Sequence, residues 1–184
     1  MSISVIKRSL LSLGILATTV SLAACGSKSS NQGSTKLASN QKIGLSTKAE
    51  ITSLDLSKIY DTTSFIQIDQ TFEGLYRYDA NGNVEPALAT KTKISKDGKT
   101  YTINIRHNAK WSNGDPVTAK DFVYSWQRAV NPKTASQYTY LFDNVKNADA
   151  IVNGKLSPNK LGVKANGKYQ LKVQLARPTT YFKM

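Results

Sequence analysis

Two stretches of the chain alternate between apolar and polar residues. Between residues 100 and 106, Tyr101, Ile103 and Ile105 are separated by polar side chains. A similar alternation runs over residues 171–175. Because successive side chains of a strand point to opposite faces, a period of two indicates strands with one buried face. The pattern therefore predicts two half-buried strands.

Three two-residue turn signals separate such segments: Asn81-Gly82, Asp97-Gly98 and Asn166-Gly167. Asn-Gly and Asp-Gly pairs adopt the positive φ values that a type I′ turn requires at both central positions. Each pair therefore predicts a β-hairpin with a type I′ turn.

Residues 111–132 carry the signals of a turn followed by a helix. Residues 112–116 read Ser-Asn-Gly-Asp-Pro, a cluster of turn formers. Thr118 is placed to cap a helix, with its hydroxyl accepting a backbone N–H near Asp121, and Asn131-Pro132 ends it. The apolar side chains fall at helical spacing on one face, which is predicted to lie in the core. These side chains are Phe122, Val123, Trp126, Ala129 and Val130.

A second helix is predicted over Val145–Val152, ending at Asn153-Gly154. Hairpins together with a few helices indicate an α/β fold class rather than an all-β sandwich.

The N-terminus has the pattern of an export signal. Lys7 and Arg8 precede an uncharged, largely apolar run from Ser9 to Ala24. This run is shorter than the about 20 residues of a membrane-spanning helix and suits a signal peptide. Cys25, the only cysteine, follows small residues, as in the lipobox of bacterial lipoproteins. We predict that residues 1–24 are a signal peptide and that Cys25 is lipidated.

Residues 25–42 are rich in Ser, Gly and Asn and predict a flexible linker after Cys25. The remaining residues, 43–184, are predicted to form the folded domain. With a single cysteine in the chain, no disulfide framework is available, so burial of apolar surface must stabilise this domain.

The formal charge of +13 is compatible with several anionic partners, among them nucleic acid, anionic lipid and teichoic polymers. The lysines are, however, scattered singly along the chain, and no Arg-rich run or RNA-binding aromatic motif occurs. Export also argues against a nucleic-acid partner. We therefore interpret the charge as that of a soluble, basic surface protein.

Catalytic signals are sparse. His107 is the only histidine, and the only cysteine is assigned to lipidation, so neither a catalytic triad nor a zinc site is indicated. No Gly-rich phosphate loop occurs. We predict that His107 is a surface or turn residue, and that the protein binds a ligand, is not an enzyme and uses no cofactor or metal.

The run from Phe72 to Ser136 strongly resembles the extracytoplasmic oligopeptide-binding proteins of peptide ABC transporters. The most specific segments are Phe72-Glu73-Gly74-Leu75 and "RHNAKWSNGDPVTAKDFVYSW". Where many members have Leu-Asp-Pro, this chain has Leu54-Asp55-Leu56. The resemblance extends from about Ile43 to the last residue.

This resemblance implies the N-terminal part of a two-lobed periplasmic-binding-protein-like (type II) fold, with a mixed sheet, β-hairpins and few helices. Its implied partners are oligopeptides, the permease and ATPase subunits of the transporter, and a membrane reached through the lipid anchor on the extracellular face of a Gram-positive-like cell. The second lobe of full members would follow the last residue, so the chain resembles a truncated product. We expect it to lack closed-cleft peptide binding by itself.

The resemblance also implies the ligand-binding residues. Tyr138 matches a tyrosine that lies against the bound peptide in the family. Tyr60, Asp61 and Thr62 occupy the place of a loop whose backbone pairs with the peptide. Two alternatives remain: a peptide pheromone receptor with the same architecture, and a basic surface lipoprotein that binds an anionic wall polymer.

Overall fold

The computed structural model describes residues 39–183, so the predicted signal peptide, Cys25 and most of the predicted linker lie outside the described residues. Residues 39–45 contain no helix or strand and are exposed. A compact unit begins at Ser46. Its helices are α1 (Thr62–Thr71), α2 (Ala119–Ala129) and α3 (Ala148–Val152). Its strands are β1 (Tyr76–Tyr78), β2 (Val84–Pro86), β3 (Ala89–Ile94), β4 (Thr100–Ile105), β5 (Val163–Ala165) and β6 (Gln170–Gln174).

The strands form a β1-β2 hairpin and a four-stranded sheet in the order β3-β4-β6-β5, and neighbouring strands are antiparallel. In the central strand β4, Ile103 lies opposite Thr92 of β3 and Leu171 of β6. The predicted alternation is confirmed, because Tyr101, Ile103 and Ile105 are buried while the residues between them are not. The predicted α/β class with hairpins and few helices is also confirmed.

All three predicted hairpins are confirmed, but the predicted type I′ turns are wrong. Gly82, Gly98 and Gly167 have φ of 80°, 67° and 78°, whereas the residue before each glycine has negative φ. The loops are longer than two residues, so each loop needs only one residue in the left-handed conformation, and that residue is its glycine. In the first loop, Asp79 accepts a hydrogen bond from the Asn83 N–H at 2.8 Å.

Helix α2 begins and ends where the sequence predicts. Thr118 is the N-cap, and the Asp121 carboxylate accepts hydrogen bonds from the Thr118 N–H at 2.6 Å and the Thr118 hydroxyl at 2.9 Å. Trp126 packs against the core, as predicted, with its ring centroid 5.6 Å from that of Phe142 and 6.3 Å from that of Phe182. The apolar side of α2 thus covers the buried face of the sheet.

The second predicted helix is shorter than expected. It begins at Ala148 instead of Val145, because Asn147 has a φ of 70° that no α-helix accommodates. Val145 instead forms a β-bridge with Leu175 and is buried. The end at Asn153-Gly154 is confirmed. Among residues 39–183, no helix has the length and apolar character needed to span a bilayer.

Candidate functional site

Asp61, in the predicted peptide-binding loop, is the N-cap of helix α1. Its carboxylate accepts hydrogen bonds from the Thr52 hydroxyl and, at 2.8 Å each, from the backbone N–H and the hydroxyl of Ser64. The Thr52 hydroxyl, followed by the two Ser64 donors, lowers the pKa of Asp61 below its usual value. The Asp61 carboxylate is therefore engaged in starting the helix, and its side chain is occupied within the protein.

The backbone N–H and C=O of Tyr60 are unpaired within the described part of the chain, whereas the Asp61 carboxylate is occupied. The preceding residue, Ile59, is buried and anchors the segment, while the Tyr60 side chain is 55% exposed. Within residues 39–183, neither the N–H nor the C=O of Tyr60 takes part in a hydrogen bond. Thr62, the first residue of α1, is exposed beside it. This segment presents unpaired main-chain donors and acceptors to solvent, which an extended peptide could satisfy.

Tyr138 lies against helix α1. Its half-buried ring meets the ring of Phe65 edge to face, with centroids 5.5 Å apart and an interplanar angle of 84°. The Phe65 N–H donates to the Asp61 C=O at 3.1 Å, which places Phe65 one helical turn after the predicted loop. The structure therefore links Tyr138 to residues 60–62 through Phe65. Sequence reasoning missed Phe65, although its spacing of four residues from the Asp61 cap was a usable signal.

Asp55 and Arg128 hold the chain that leads into this segment. The Arg128 Nη1 and Nη2 groups donate to Asp55 Oδ1 and Oδ2, each at 2.6 Å. The Arg128 guanidinium lowers the pKa of Asp55 to about 2, with a smaller contribution from the Ser57 N–H. The Asp55 C=O also accepts from the Lys58 and Ile59 N–H groups. The sequence had singled out Asp55 only as part of a departure from the family pattern, and Arg128 not at all.

Exposed apolar side chains flank the Phe65–Tyr138 contact along the chain. Six large ones occur within residues 54–60, on α1 itself, and directly after Tyr138. They are Leu54, Leu56, Tyr60, Ile66, Tyr140 and Leu141, and their exposed fractions range from 47% to 63%.

His107 lies in an exposed turn after β4, as predicted. Its ring stacks on Tyr169, with centroids 4.4 Å apart and an interplanar angle of 24°. Both residues line an open depression of about 570 Å³, together with Asn104, Arg106 and Gln170. No carboxylate or nucleophilic Ser or Cys lies among its lining residues, so the chemistry available there is hydrogen bonding and attraction of anions. Within residues 39–183, no three His, Cys, Asp or Glu side chains are grouped to hold a metal ion.

Comparison with known proteins shows which family this chain belongs to. Residues 83–184, more than half of the chain, match the profile of the bacterial extracellular solute-binding proteins, family 5 Middle. The chain is 47% identical over 162 residues to the dipeptide-binding protein of Lactococcus lactis subsp. cremoris (strain MG1363). That match covers 88% of this chain but 28% of the relative, so the chain spans little more than a quarter of its length.

Solved structures agree. The chain is similar to Listeria monocytogenes OppA bound to peptide, at 51% identity and a TM-score of 0.72, covering 73% of this chain and 27% of that one. It is also similar to the pheromone receptor PrgZ, at 46% identity and a TM-score of 0.71, covering 72% of this chain and 26% of that one. The predicted type II periplasmic-binding-protein-like fold is confirmed. This chain belongs to the bacterial extracellular solute-binding proteins of family 5.

Proposed function

We propose that this chain contributes to the capture of extracellular peptides as part of the substrate-binding component of an oligopeptide ABC transporter. The observation that carries the proposal is the free backbone of Tyr60 beside the Phe65–Tyr138 contact, on the scaffold of a family whose relatives are named for binding peptides. Main-chain pairing gives affinity with little demand on the side chains of the peptide.

The proposed ligand-binding residues are Tyr138, Tyr60, Asp61 and Thr62, with different roles. Tyr60 offers its N–H and C=O to the peptide main chain. Asp61 sets the start of α1 through its carboxylate, and Thr62 is the exposed first residue of that helix. Tyr138 supplies an aromatic wall whose position is set by Phe65. Because this chain covers 27% of the Listeria structure, we propose that the chain supplies one wall of a peptide site.

The proposed setting is the extracellular face of a cell membrane. Lipidation of Cys25 would tether the domain through the Ser/Gly/Asn-rich linker of residues 25–42. The permease and ATPase subunits of the transporter would then receive the captured peptide. No catalytic step is proposed for this chain.

A second candidate is capture of a peptide pheromone, which the 46% identity to the pheromone receptor PrgZ favours. Both functions would use the same residues, and they differ in the range of peptides accepted. A transport component should bind many short peptides, whereas a receptor should select one sequence from a mixture.

The test is an NMR titration of the full ¹⁵N-labelled chain with separate tri-, tetra- and pentapeptides of mixed sequence. We expect the Tyr60 and Thr62 amides to shift, and Tyr138→Ala to weaken binding about fivefold or more. Tyr124→Ala is the matched control, because Tyr124 is a 68% exposed tyrosine on helix α2. Shifts confined to other parts of the chain, or equal losses in the two variants, would refute the proposed site. Main-chain pairing should also persist as salt is raised.

A further inference from the structure

The solvent-facing side of the four-stranded sheet gathers lysines from three strands. Strand β4 buries every second side chain, which leaves Thr102 on the outer face. In the registered sheet, Thr102 lies opposite Lys93 of β3 on one side and Lys172 of β6 on the other. Lys172 lies in turn opposite Lys164 of β5. Residues that oppose each other share a face, so one row crosses the sheet as Lys93, Thr102, Lys172 and Lys164.

A fourth lysine adjoins this row. Lys91 lies opposite Asn104 of β4, two residues from Lys93 and on the same face. We call Lys91, Lys93, Lys164 and Lys172 the basic sheet face, and all four are exposed. The strand residues between them on this face are uncharged: Thr100, Thr102, Asn104, Gln170 and Gln174.

The stability of the sheet does not explain why these lysines lie side by side. Adjacent strands lie about 4.8 Å apart, so Lys164 and Lys172 place like charges side by side, which destabilises a sheet. Within residues 39–183, every ion pair involves Arg77 or Arg128, and no lysine has a carboxylate partner within 4 Å. Four uncompensated cations on one flat face are suited to an anionic ligand.

The basic sheet face ends in the depression beside His107. Asn104 and Gln170 belong to both, and the Gln170 Nε2 donates to Asn104 Oδ1 at 2.8 Å. Asn166 and Arg106 complete this end with further hydrogen-bonding groups. A concave, amide-lined end next to a row of lysines presents donors and acceptors for hydroxyl groups as well as charge for phosphates.

We propose that the basic sheet face binds a linear, hydroxyl-bearing chain of phosphodiesters, a poly(polyol phosphate). Phosphodiesters lie over the lysine row, and hydroxyls hydrogen-bond to the threonines and to the amides of the depression. A flat bilayer surface fits less well, because it cannot fill the depression and because the face between the lysines carries no apolar side chain to insert. Helix α2, which bears Arg128 and so holds the Tyr60 segment, covers the opposite face of the sheet. The polymer surface is thus separate from the proposed peptide segment.

The test compares two variants of the full chain that lose the same charge. The face variant is K91Q/K93Q/K164Q/K172Q, and the control variant, K120Q/K133Q/K155Q/K160Q, removes exposed lysines outside the sheet. Binding to immobilised poly(glycerol phosphate) is measured over a series of salt concentrations, with circular dichroism to verify folding. We expect the face variant to lose roughly tenfold or more in affinity and to show a shallower salt dependence. The control variant should stay within about threefold of the parent.

Three outcomes would overturn the proposal. Equal losses in both variants would show that net charge alone attracts the polymer. Tighter lysine-dependent binding to phosphatidylglycerol vesicles than to the polymer would assign the face to a membrane. Inorganic polyphosphate binding as tightly as poly(glycerol phosphate) would remove the role of the hydroxyls. If the fourfold face variant does not fold, Lys164→Glu takes its place, since it reverses one charge and adds a favourable cross-strand partner for Lys172.

Discussion

Arg128 on helix α2 and Asp55 in the segment before α1 form a bidentate ion pair, with both N–O distances at 2.6 Å. The two residues are 73 positions apart in the sequence. The pair joins helix α2 to the segment that carries Tyr60. Because both side chains remain about one-third exposed, solvent screens the charges, and we assign the pair a contribution of about 1 kcal/mol.

This pair should make stability depend on pH in the acid range. The folded pKa of Asp55, about 2, lies below its unfolded value near 3.8, so the stabilisation is fully present above about pH 4. It is lost as the pH falls from about 4 to about 2. Urea unfolding over this range should show a smaller acid-induced loss in Arg128→Gln than in the parent chain. Other carboxylates also titrate here, so the difference between the two proteins is the quantity to measure. An equal acid-induced loss of unfolding free energy in the two proteins would contradict the assignment of this pH dependence to the Asp55–Arg128 pair.

Removal of the Asp61 cap should destabilise helix α1. Asp61→Ala deprives the Ser64 N–H and hydroxyl and the Thr52 hydroxyl of their acceptor, so we expect a lower free energy of unfolding and faster hydrogen exchange in the first turn of α1. Asp61→Asn keeps a capping oxygen and is the matched control. Hydrogen exchange at the Phe65 amide, which bonds to the Asp61 C=O, reports the helix directly. Equal stability of the two variants would show that the cap is dispensable.

The contact between Phe65 and Tyr138 should be measurable as a coupling energy. Edge-to-face aromatic pairs contribute about 0.5–1.5 kcal/mol beyond the area they bury. A double-mutant cycle with Phe65→Leu and Tyr138→Leu should give a coupling in that range by urea unfolding. Tyr138→Phe retains the ring and should leave the coupling unchanged. Strictly additive leucine substitutions would mean that the rings do not position each other.

Gly162 should not tolerate a side chain. A Cβ built there would lie 2.5 Å from the Gln174 carbonyl oxygen and 2.8 Å from Lys146 Cβ, between two segments that bond to the Gly162 backbone. We expect Gly162→Ala to cost about 3 kcal/mol in unfolding free energy. Gly82→Ala, where φ is +80° and no atom lies within 4 Å of the added Cβ, should cost about 1 kcal/mol. The reverse order in thermal unfolding would contradict this ranking.

Lys164→Glu should stabilise the sheet while weakening the proposed polymer binding. It replaces a like-charged cross-strand pair with an opposite-charged one, for an expected gain of about 0.2–1 kcal/mol. Lys160→Glu, outside the sheet, is the control with the same change in net charge. A gain in stability together with a loss of polymer affinity would separate a binding role from a structural one. A loss of stability would show that Lys164 supports the fold.

Sequence patterns predicted the local elements well where short-range physics decides. The alternation at Tyr101, Ile103 and Ile105, the hairpin glycines and the limits of α2 all depend on residues within a few positions of one another. The prediction failed at Val145, where a non-local bridge to Leu175 and the left-handed Asn147 override helical propensity. The prediction of type I′ turns failed because such turns need two-residue loops, and loop length depends on where both strands stop pairing.

The sequence alone determined the fold class, the buried face of each central strand and the family resemblance, because hydrophobic period and turn chemistry are encoded locally. Tertiary structure decided which distant residues meet. It brought Asp55 to Arg128 and Phe65 to Tyr138, and strand register placed four lysines, scattered singly between residues 91 and 172, on one face. The physical reason is that cross-strand partners are chosen by register, which the packing of the whole buried face sets.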